Sequence, residues 1–287
     1  MPATPEEDDE HCVEPAHTSE EVRARHASNR AAWNEAAESY RRKLDQDIAS
    51  LRAGKSTVRP LERANLGDLR TWCRRAIHLQ CASGQDTLSL WLEGAAEVVG
   101  IDISDVHIEN ARRKGEALGA PATWHRCDVL EAPAELDGTA DLVYTGGGAI
   151  NWIQDLDGWA RTVARLLKPG GVLHLLDDHP FLWVFDVAEG DLALRDASYF
   201  DAAVASKGWP ASYIPELSGD ARDQSWKYEQ QWPISSVAMA VRRAGLILEV
   251  LGEHREGYWD IFPGVPKSTL RNLPMTFTLM ARKPPAR

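Results

Sequence analysis

Long hydrophobic runs are missing from this sequence of 287 residues, and no apolar stretch near its start resembles a signal peptide. A transmembrane helix needs about 20 consecutive apolar residues, so the sequence predicts no contact with a membrane. The four cysteines are scattered and form no C-x-x-C pair, and no H-x-x-x-H pattern occurs. Because these spacings suit neither disulfides nor metal sites, we expect reduced thiols, no bound metal and a cytoplasmic protein.

The sequence also has fewer basic than acidic residues. The chain has 32 Lys and Arg against 43 Asp and Glu, a formal net charge of -11, and no cluster of basic residues. Such a chain would repel a phosphate backbone, so the sequence predicts no nucleic-acid partner. A hydrophobic content of 44% is sufficient for a large globular core, and a small molecule is the expected partner.

The pattern along the chain divides it into three parts. Residues 1–21 are acidic and poor in aliphatic side chains, which predicts a disordered tail. Residues 22–70 carry apolar residues at helical spacing, over 22–51 and again over 60–69, and predict an N-terminal helical lid. Residues 71–287 form the main domain, interrupted at about 181–232 by a segment rich in Trp, Tyr, Asp and Pro. That segment is too long for an ordinary connection and predicts a substrate cap.

Short apolar runs alternate with helical segments in the main domain. The predicted strands are 76–80, 97–101, 123–127, 141–145, 172–177, 247–252 and 275–282. The predicted helices are 86–92, 105–118, 156–167 and 235–244. This alternation is typical of an α/β fold, a doubly wound, Rossmann-like and mostly parallel sheet.

The turn after the first strand suits a nucleoside better than a dinucleotide. A dinucleotide site uses the pattern G-x-G-x-x-G, because the pyrophosphate lies against the backbone. Aligned on that pattern, the turn offers Gln80, Ala82 and Gln85 instead of glycines. The sequence therefore disfavours a pyrophosphate and allows a ligand such as S-adenosylmethionine (SAM).

Acidic residues and glycines follow the next three strands. Asp102 ends the second strand, where a carboxylate can accept both hydroxyl hydrogens of a ribose. It could instead cap the following helix, but Ser104 is available for that role. Asp128 follows the third strand and Gly146–Gly148 follow the fourth, positions typical of turns as well as of ligand contacts.

Residues 76–178 resemble the SAM-binding core of class I methyltransferases. The string His78-Leu79-Gln80-Cys81, with Gly84 and Asp86-Thr87-Leu88-Ser89-Leu90, is similar to a bacterial subgroup that acts in natural-product pathways. The resemblance implies a seven-stranded sheet whose last strand is antiparallel. It also implies Asp102 on ribose, Asp128 on adenine, and residues 80–84 along the methionine moiety. The full cofactor set that we expect is Gln80, Ala82, Gly84, Asp86, Asp102, Ile103, Asp128, Val129, Thr145 and Gly146.

The acceptor side is less determined by the sequence. Tyr40 on the lid and His179 beyond the fifth strand are the candidate catalytic residues, although His179 could also serve only to cap a turn. The candidate substrate-binding residues are Trp152, Trp183, Tyr199, Phe200, Tyr228 and Glu229.

The predicted function is transfer of a methyl group from SAM to a nitrogen, carbon or oxygen of a small molecule, with S-adenosylhomocysteine as the second product. A SAM-binding cyclase that transfers no methyl group and a nicotinamide oxidoreductase are the alternatives. A lid helix exchanged between subunits would make the protein a homo-oligomer.

Overall fold

The computed structural model of this chain describes residues 10–195, 197–200, 203–210, 213–218 and 221–285. The α-helices in these ranges are α1 (Ser19–Arg42), α2 (Leu44–Arg52), α3 (Pro60–Leu66), α4 (Gln85–Leu92), α5 (Asp105–Leu118), α6 (Leu156–Leu166), α7 (Ile234–Arg243) and α8 (Lys267–Leu270). The strands in the same ranges are β1 (Glu10–Val13), β2 (Arg75–Leu79), β3 (Glu97–Asp102), β4 (Ala122–Arg126), β5 (Ala140–Gly146), β6 (Leu167–Asp178), β7 (Phe185–Ala188), β8 (Asp191–Leu194), β9 (Ala203–Ser206), β10 (Lys227–Gln230), β11 (Ile247–His254) and β12 (Thr276–Arg282).

The central sheet has seven strands in the order β11-β12-β6-β5-β2-β3-β4. Strands β2 to β6 pair in parallel, whereas β12 runs antiparallel to both β6 and β11. The predicted Rossmann-like fold with an antiparallel last strand is therefore confirmed. The chain reverses its direction of progress across the sheet between β2 and β5, and ligands of such sheets bind beside that point at the carboxyl ends of the strands.

Both faces of the sheet are buried. On one face, side chains of α6 and α7 pack against the sheet around Trp159, Val237 and Phe277, none of which is exposed to solvent. On the other face a second apolar cluster joins Val58, Leu66 and Leu90 to Val98 and Leu142. Helices on both faces leave the carboxyl edge of the sheet as the place where a ligand can approach. No helix in the described ranges is both long enough and apolar enough to cross a bilayer.

Local capping explains why some predicted bounds agree with the structure. The predicted helix over residues 105–118 coincides with α5. The hydroxyl of Ser104 accepts a hydrogen bond from the amide of His107, and Gly119 adopts a left-handed conformation with φ of 61°. These are the standard start and stop signals of a helix, and both lie in the sequence itself.

The region predicted as a lid contains α1, α2 and α3, and the helical pattern predicted over 22–51 is interrupted at Lys43, which separates α1 from α2. Helix α1 lies across α5, where Arg30 pairs with Asp105 at 2.6 Å. The amide of Asn29 exchanges two hydrogen bonds with the backbone of Tyr228 in β10. Helix α1 is therefore bonded both to α5 and to β10, in the segment predicted as a cap.

The predicted disordered tail is wrong for residues 10–21. Strand β1 pairs with β9, which pairs in turn with β10, and α1 begins at Ser19 behind a capping box made by Thr18 and Glu21. Backbone pairing supplies order that the poor aliphatic content did not suggest, since hydrogen bonds between strands do not depend on apolar side chains. Residues 1–9 lie outside the described residues.

Candidate functional site

A cavity of about 360 Å³ lies at the carboxyl ends of β2, β3 and β5, beneath α1. It sits beside the point where the strand order reverses, the usual ligand site of this architecture. A wider and more polar cleft of about 930 Å³ lies elsewhere, between the start of α1 and helices α6 and α7. Two arginines of this cleft already have acidic partners: Arg161 is paired with Asp155 and Arg243 with Asp157. The cavity at the sheet edge is therefore the better candidate for the ligand site.

The turn after β2 is strained at two residues that are not glycine. Gln80 and Ala82 have φ of 55° and 44°, a region that residues with a Cβ rarely adopt. The amide of Ala82 donates to Oδ2 of Asp102 at 2.8 Å, and the side chain of Gln80 donates to the carbonyl of Ala149 at 2.7 Å. These bonds hold the strained turn in place, and strain of this kind concentrates at ligand sites.

Asp102 lies at the inner end of β3 and lines the cavity, with 7% of its surface exposed. Its Oδ1 accepts from the amide of Ser104 at 2.8 Å, and its Oδ2 accepts from Ala82. Burial raises the pKa of Asp102 to about 6, although the backbone hydrogen bonds counteract this effect. Each carboxylate oxygen has a further lone pair, so Asp102 can accept ligand hydroxyls in addition to these bonds.

Asp128 also borders the cavity, and it is linked to the lid. Its Oδ2 lies 2.5 Å from Nδ1 of His26 in α1, while its Oδ1 accepts from the amide of Leu130 at 2.9 Å. Because Nε2 of His26 accepts from the amide of Gln154, the ring proton lies on Nδ1 and is donated to Asp128. This hydrogen bond joins α1 to the carboxyl end of β4, which Asp128 follows.

A glycine turn after β5 forms the next wall. Gly146, Gly147 and Gly148 have φ of 146°, 71° and 87°. The carboxylate of Asp177 in β6 accepts from the amides of Gly148, Ala149 and Ile150 at 2.6 to 3.0 Å. This carboxylate fixes the backbone of the turn where it borders the cavity.

Aromatic residues close the cavity on the side away from the sheet. Their rings come from α1, the segment after β5, the cap segment and the loop after β11: Trp33, Tyr40, Trp152, Tyr213, Tyr258 and Trp259. The hydroxyl of Tyr40 lies 2.6 Å from that of Tyr213, which joins the lid to the cap. The rings of Trp33 and Trp152 meet edge to face with centroids 5.1 Å apart. Such a wall suits an apolar, flat or cationic ligand.

Two buried polar atoms that line the cavity have no hydrogen-bond partner in the part of the chain that the structure describes. They are Oε1 of Gln80 and Nε2 of His107. Buried polar atoms are nearly always paired, so these two indicate a polar ligand. Burial lowers the pKa of His107 to about 3, and the ring is therefore neutral at physiological pH.

Most of the predicted cofactor residues line this cavity. They are Gln80, Ala82, Asp86, Asp102, Ile103, Asp128, Val129 and Gly146. Gly84 and Thr145 are not among the lining residues. A Cβ on Gly84 would lie 2.5 Å from the ring of Trp124, so this glycine serves the packing of the turn against β4. Thr145 is 1% exposed and lies inside β5.

Of the predicted catalytic and substrate-binding residues, the structure brings Tyr40 and Trp152 to the cavity. His179 lies apart from it, with Nε2 2.9 Å from Glu253 and Nδ1 accepting from the amide of Phe181. This placement gives His179 the turn-capping role that was the alternative, since both ring nitrogens are used.

The other predicted substrate residues lie outside the cavity lining. Phe200 is 72% exposed, and the neighbouring Tyr199 meets the amide of Ile234 through its hydroxyl. Tyr228 stacks with Arg25, and Glu229 accepts from Asn151. Trp183 borders a smaller neighbouring cavity. Aromatic composition identified the cap as a whole but could not indicate which rings turn inward.

Several lining residues were not predicted from the sequence, among them His26, Trp33, His107, Lys114, Tyr213, Tyr258 and Trp259. His26 and Trp33 stand on the predicted lid helix, and a helical projection from Tyr40 places Trp33 on the same side, seven residues away. Tyr213, Tyr258 and Trp259 lie in long loops that have no periodicity to exploit.

Comparison with known proteins agrees with this geometry. Residues 76–171 match a family model described as a methyltransferase domain. The chain is 28% identical over 124 residues to the ubiquinone biosynthesis O-methyltransferase of Bordetella pertussis, a stretch that covers 42% of this chain and 51% of that one. The chain thus spans about half the length of the curated relatives that it matches.

Solved structures share the fold. A SAM-dependent methyltransferase from Mesorhizobium loti superposes with a TM-score of 0.55 at 19% identity, over 78% of this chain and 96% of that one. The geranyl diphosphate C-methyltransferase of Streptomyces coelicolor, solved with S-adenosylhomocysteine, superposes with a TM-score of 0.52 at 12% identity, over 78% and 75% of the two chains. Residues 76–171 therefore match a methyltransferase domain, and the fold of the chain is the fold of these SAM-dependent methyltransferases.

Proposed function

We propose that this protein transfers a methyl group from SAM to a small-molecule acceptor held in the cavity beneath α1. The observation that carries the proposal is the position of Asp102, a buried carboxylate at the end of β3 that lines the cavity within the methyltransferase domain. A pyrophosphate would meet the side chains of Gln80 and Ala82 at this turn, and this argues against a nicotinamide cofactor.

The residues present fit SAM. Asp102 would accept the ribose hydroxyls, and Val129 beside Asp128 would flank the adenine. The turn of residues 80–83 would hold the methionine moiety. Polar groups of that moiety would then pair with Oε1 of Gln80 and Nε2 of His107, which have no partner among the described residues. Lys114 also lines the cavity and is paired with Asp47 at 2.7 Å, so it is held in place by α2.

When bound, SAM would supply a methyl group on a sulfonium: the acceptor would form a bond to the methyl carbon as the bond from that carbon to sulfur breaks, and S-adenosylhomocysteine would leave. The chain's part is to position the acceptor and exclude water, and positioning alone can provide a large rate gain. The aromatic wall would do both, because its rings are fixed by the hydrogen bond between Tyr40 and Tyr213 and by the packing of Trp33 on Trp152. Asp177 keeps the glycine turn from shifting toward the acceptor.

The acceptor side draws on the lid and the cap together, with Trp33, Tyr40 and Tyr213 from these two segments in one wall. We infer that acceptor specificity resides in these rings. The resemblance of the motif around His78 to Cys81 supports a role in bacterial secondary metabolism, as part of the same proposal. The likeness to a ubiquinone biosynthesis O-methyltransferase supports a small acceptor.

The proposal is tested by incubating the full chain with SAM and fractionated small-molecule extracts, and by following S-adenosylhomocysteine and mass gains of one methyl group. We expect both products in equal amounts, and lower yields with Tyr40→Phe, which removes the bond to Tyr213. Conversion of a substrate without S-adenosylhomocysteine release would instead indicate the cyclase alternative. A chain that does not bind SAM at all would contradict the proposal.

The pH dependence of SAM binding provides a more specific test. Since the pKa of Asp102 is about 6, its carboxyl group is ionised above this pH and protonated below it. A protonated carboxyl loses the charge that strengthens its bonds to ribose hydroxyls, so SAM affinity should fall by up to about tenfold between pH 7 and pH 5. Calorimetric titrations across this range measure the effect. The pKa values of His78 and His107 are lowered by burial to about 4 and 3, below the window. In Asp102→Asn the fall should disappear, and its persistence would assign the effect to another group.

A further inference from the structure

A second, much smaller cavity of about 40 Å³ adjoins the first. The two share Gly148, which stands in the lining of both. We call the smaller one the annex. Its walls are formed by the glycine turn, the end of β6 and the segment after β10, with the rings of Trp183 and Trp232 among them. The annex therefore extends the acceptor side of the cavity away from the cofactor residues at β3 and β4.

Two buried polar atoms at the annex lack partners in the described ranges of the chain. They are Oδ1 of Asp178 and Nε2 of Gln231, the latter in a residue that is 4% exposed. The adjacent Asp177 differs, because its carboxylate is occupied by backbone amides. Buried polar atoms without partners are rare and require an explanation, which here is a group that enters the annex.

Charge points to the nature of that group. Among the residues that line the annex are two carboxyl groups, Asp177 and Asp178, and no basic side chain. The nearby guanidinium of Arg59 is bonded to the carbonyls of Gly257 and Tyr258 and stacks over the ring of Tyr258 at 3.8 Å. Burial and the neighbouring Asp177 raise the pKa of Asp178 well above its usual value, so an incoming cation would restore its charge.

The size of the annex further narrows the choice of the group that it can bind. The annex, at about 40 Å³, has room for a small polar group, and a trimethylammonium would bring no N–H to its unpartnered acceptor. A primary ammonium fits this space and can donate to Asp178. Nε2 of Gln231 is a donor, so it serves an acceptor atom and not the ammonium itself. Indole rings in the wall also favour a cation over a neutral group.

We propose that the annex is an anchoring subsite that binds a primary ammonium group of the acceptor through Asp178. The inference rests on the proposed methyltransferase function and deepens it, since it makes the acceptor an amine-bearing molecule. Asp178 acts here as a specificity-determining residue, and the atom that receives the methyl group is a separate question.

The test uses the full chain saturated with S-adenosylhomocysteine and three probes that share a phenethyl group: phenethylamine, 2-phenylethanol and trimethylphenethylammonium. Calorimetry should show that phenethylamine binds about tenfold more tightly than either of the other two, because it alone brings a small cation to a buried carboxylate. In Asp178→Asn, which preserves shape, this preference should vanish. Asp191→Asn removes an equal charge from the exposed hairpin of β7 and β8 and should leave the preference intact.

Each other outcome has a defined meaning. Equal binding of amine and alcohol, or an amine preference that survives in Asp178→Asn, would overturn the inference and assign the two polar atoms to a bound water. Failure of all three probes to bind would overturn it as well. In both cases intact binding of S-adenosylhomocysteine would leave the proposed function standing, whereas loss of that binding in the wild-type chain would contradict the proposed function itself.

Discussion

Asp102→Ala should lose about 2 to 4 kcal/mol of SAM affinity, the value of two charge-assisted hydrogen bonds to a ribose. The carboxylate is buried, lines the cavity and already accepts from the amides of Ala82 and Ser104. Isothermal titration of the folded variant measures the loss. Asp157→Ala removes an equal charge at the exposed start of α6 and should bind SAM like the wild type.

The same substitution also affects stability, and the two effects can be separated. Removing the carboxylate leaves two backbone amides without partners, which should lower the free energy of unfolding by about 1 to 3 kcal/mol in the absence of ligand. Denaturant unfolding of the ligand-free protein reports this part alone. An unchanged SAM dissociation constant in a folded Asp102→Ala variant would remove Asp102 from the cofactor site.

The sequence is sufficient to predict the sheet and its helices because the signals are local. Helix α5 has its stop at Gly119 and its start at Ser104, and strands β2, β3 and β5 are short, largely apolar runs between helices. The same locality makes the strand ends predictable, so the order of the residues alone places Asp102 and Asp128 at one edge of the sheet. Strand β1 was missed because its order depends on pairing with residues 203–206, about 190 positions away.

The acceptor side of the cavity also depends on contacts between residues that are far apart in the sequence. His26 meets Asp128 across 102 positions, and Tyr40 meets Tyr213 across 173. A periodic sequence pattern cannot predict contacts between residues so far apart in the chain. The path of a long loop is determined by tertiary packing. Composition alone identified the cap as aromatic. It predicted Trp183 and Phe200 for the wall, where the structure has Tyr213 and Trp259.

Gly146→Ala should be among the most damaging single substitutions at the site. Gly146 has φ of 146°, and a Cβ there would lie 1.9 Å from the carbonyl oxygen of Leu176. That oxygen accepts a hydrogen bond from the amide of Gly147 at 2.9 Å, so it cannot move away without breaking the junction of β5 and β6. Backbone strain and overpacking act together, and we expect a loss of about 3 to 5 kcal/mol in the free energy of unfolding.

Gly119→Ala provides the matched control. Gly119 also has a positive φ, 61°, but a Cβ there would meet nothing within 4 Å. The left-handed conformation alone costs an alanine about 1 kcal/mol, so this variant isolates the backbone part of the effect. Urea unfolding of both variants measures the difference.

Equal losses would mean that β6 relaxes away from the new methyl group, and Gly146 would then be required for its conformation and not for the close approach of the two strands. If instead the large difference is found, the residual folded Gly146→Ala protein should also bind SAM more weakly, because Gly146 lines the cavity and its shift would displace the turn that Asp177 holds.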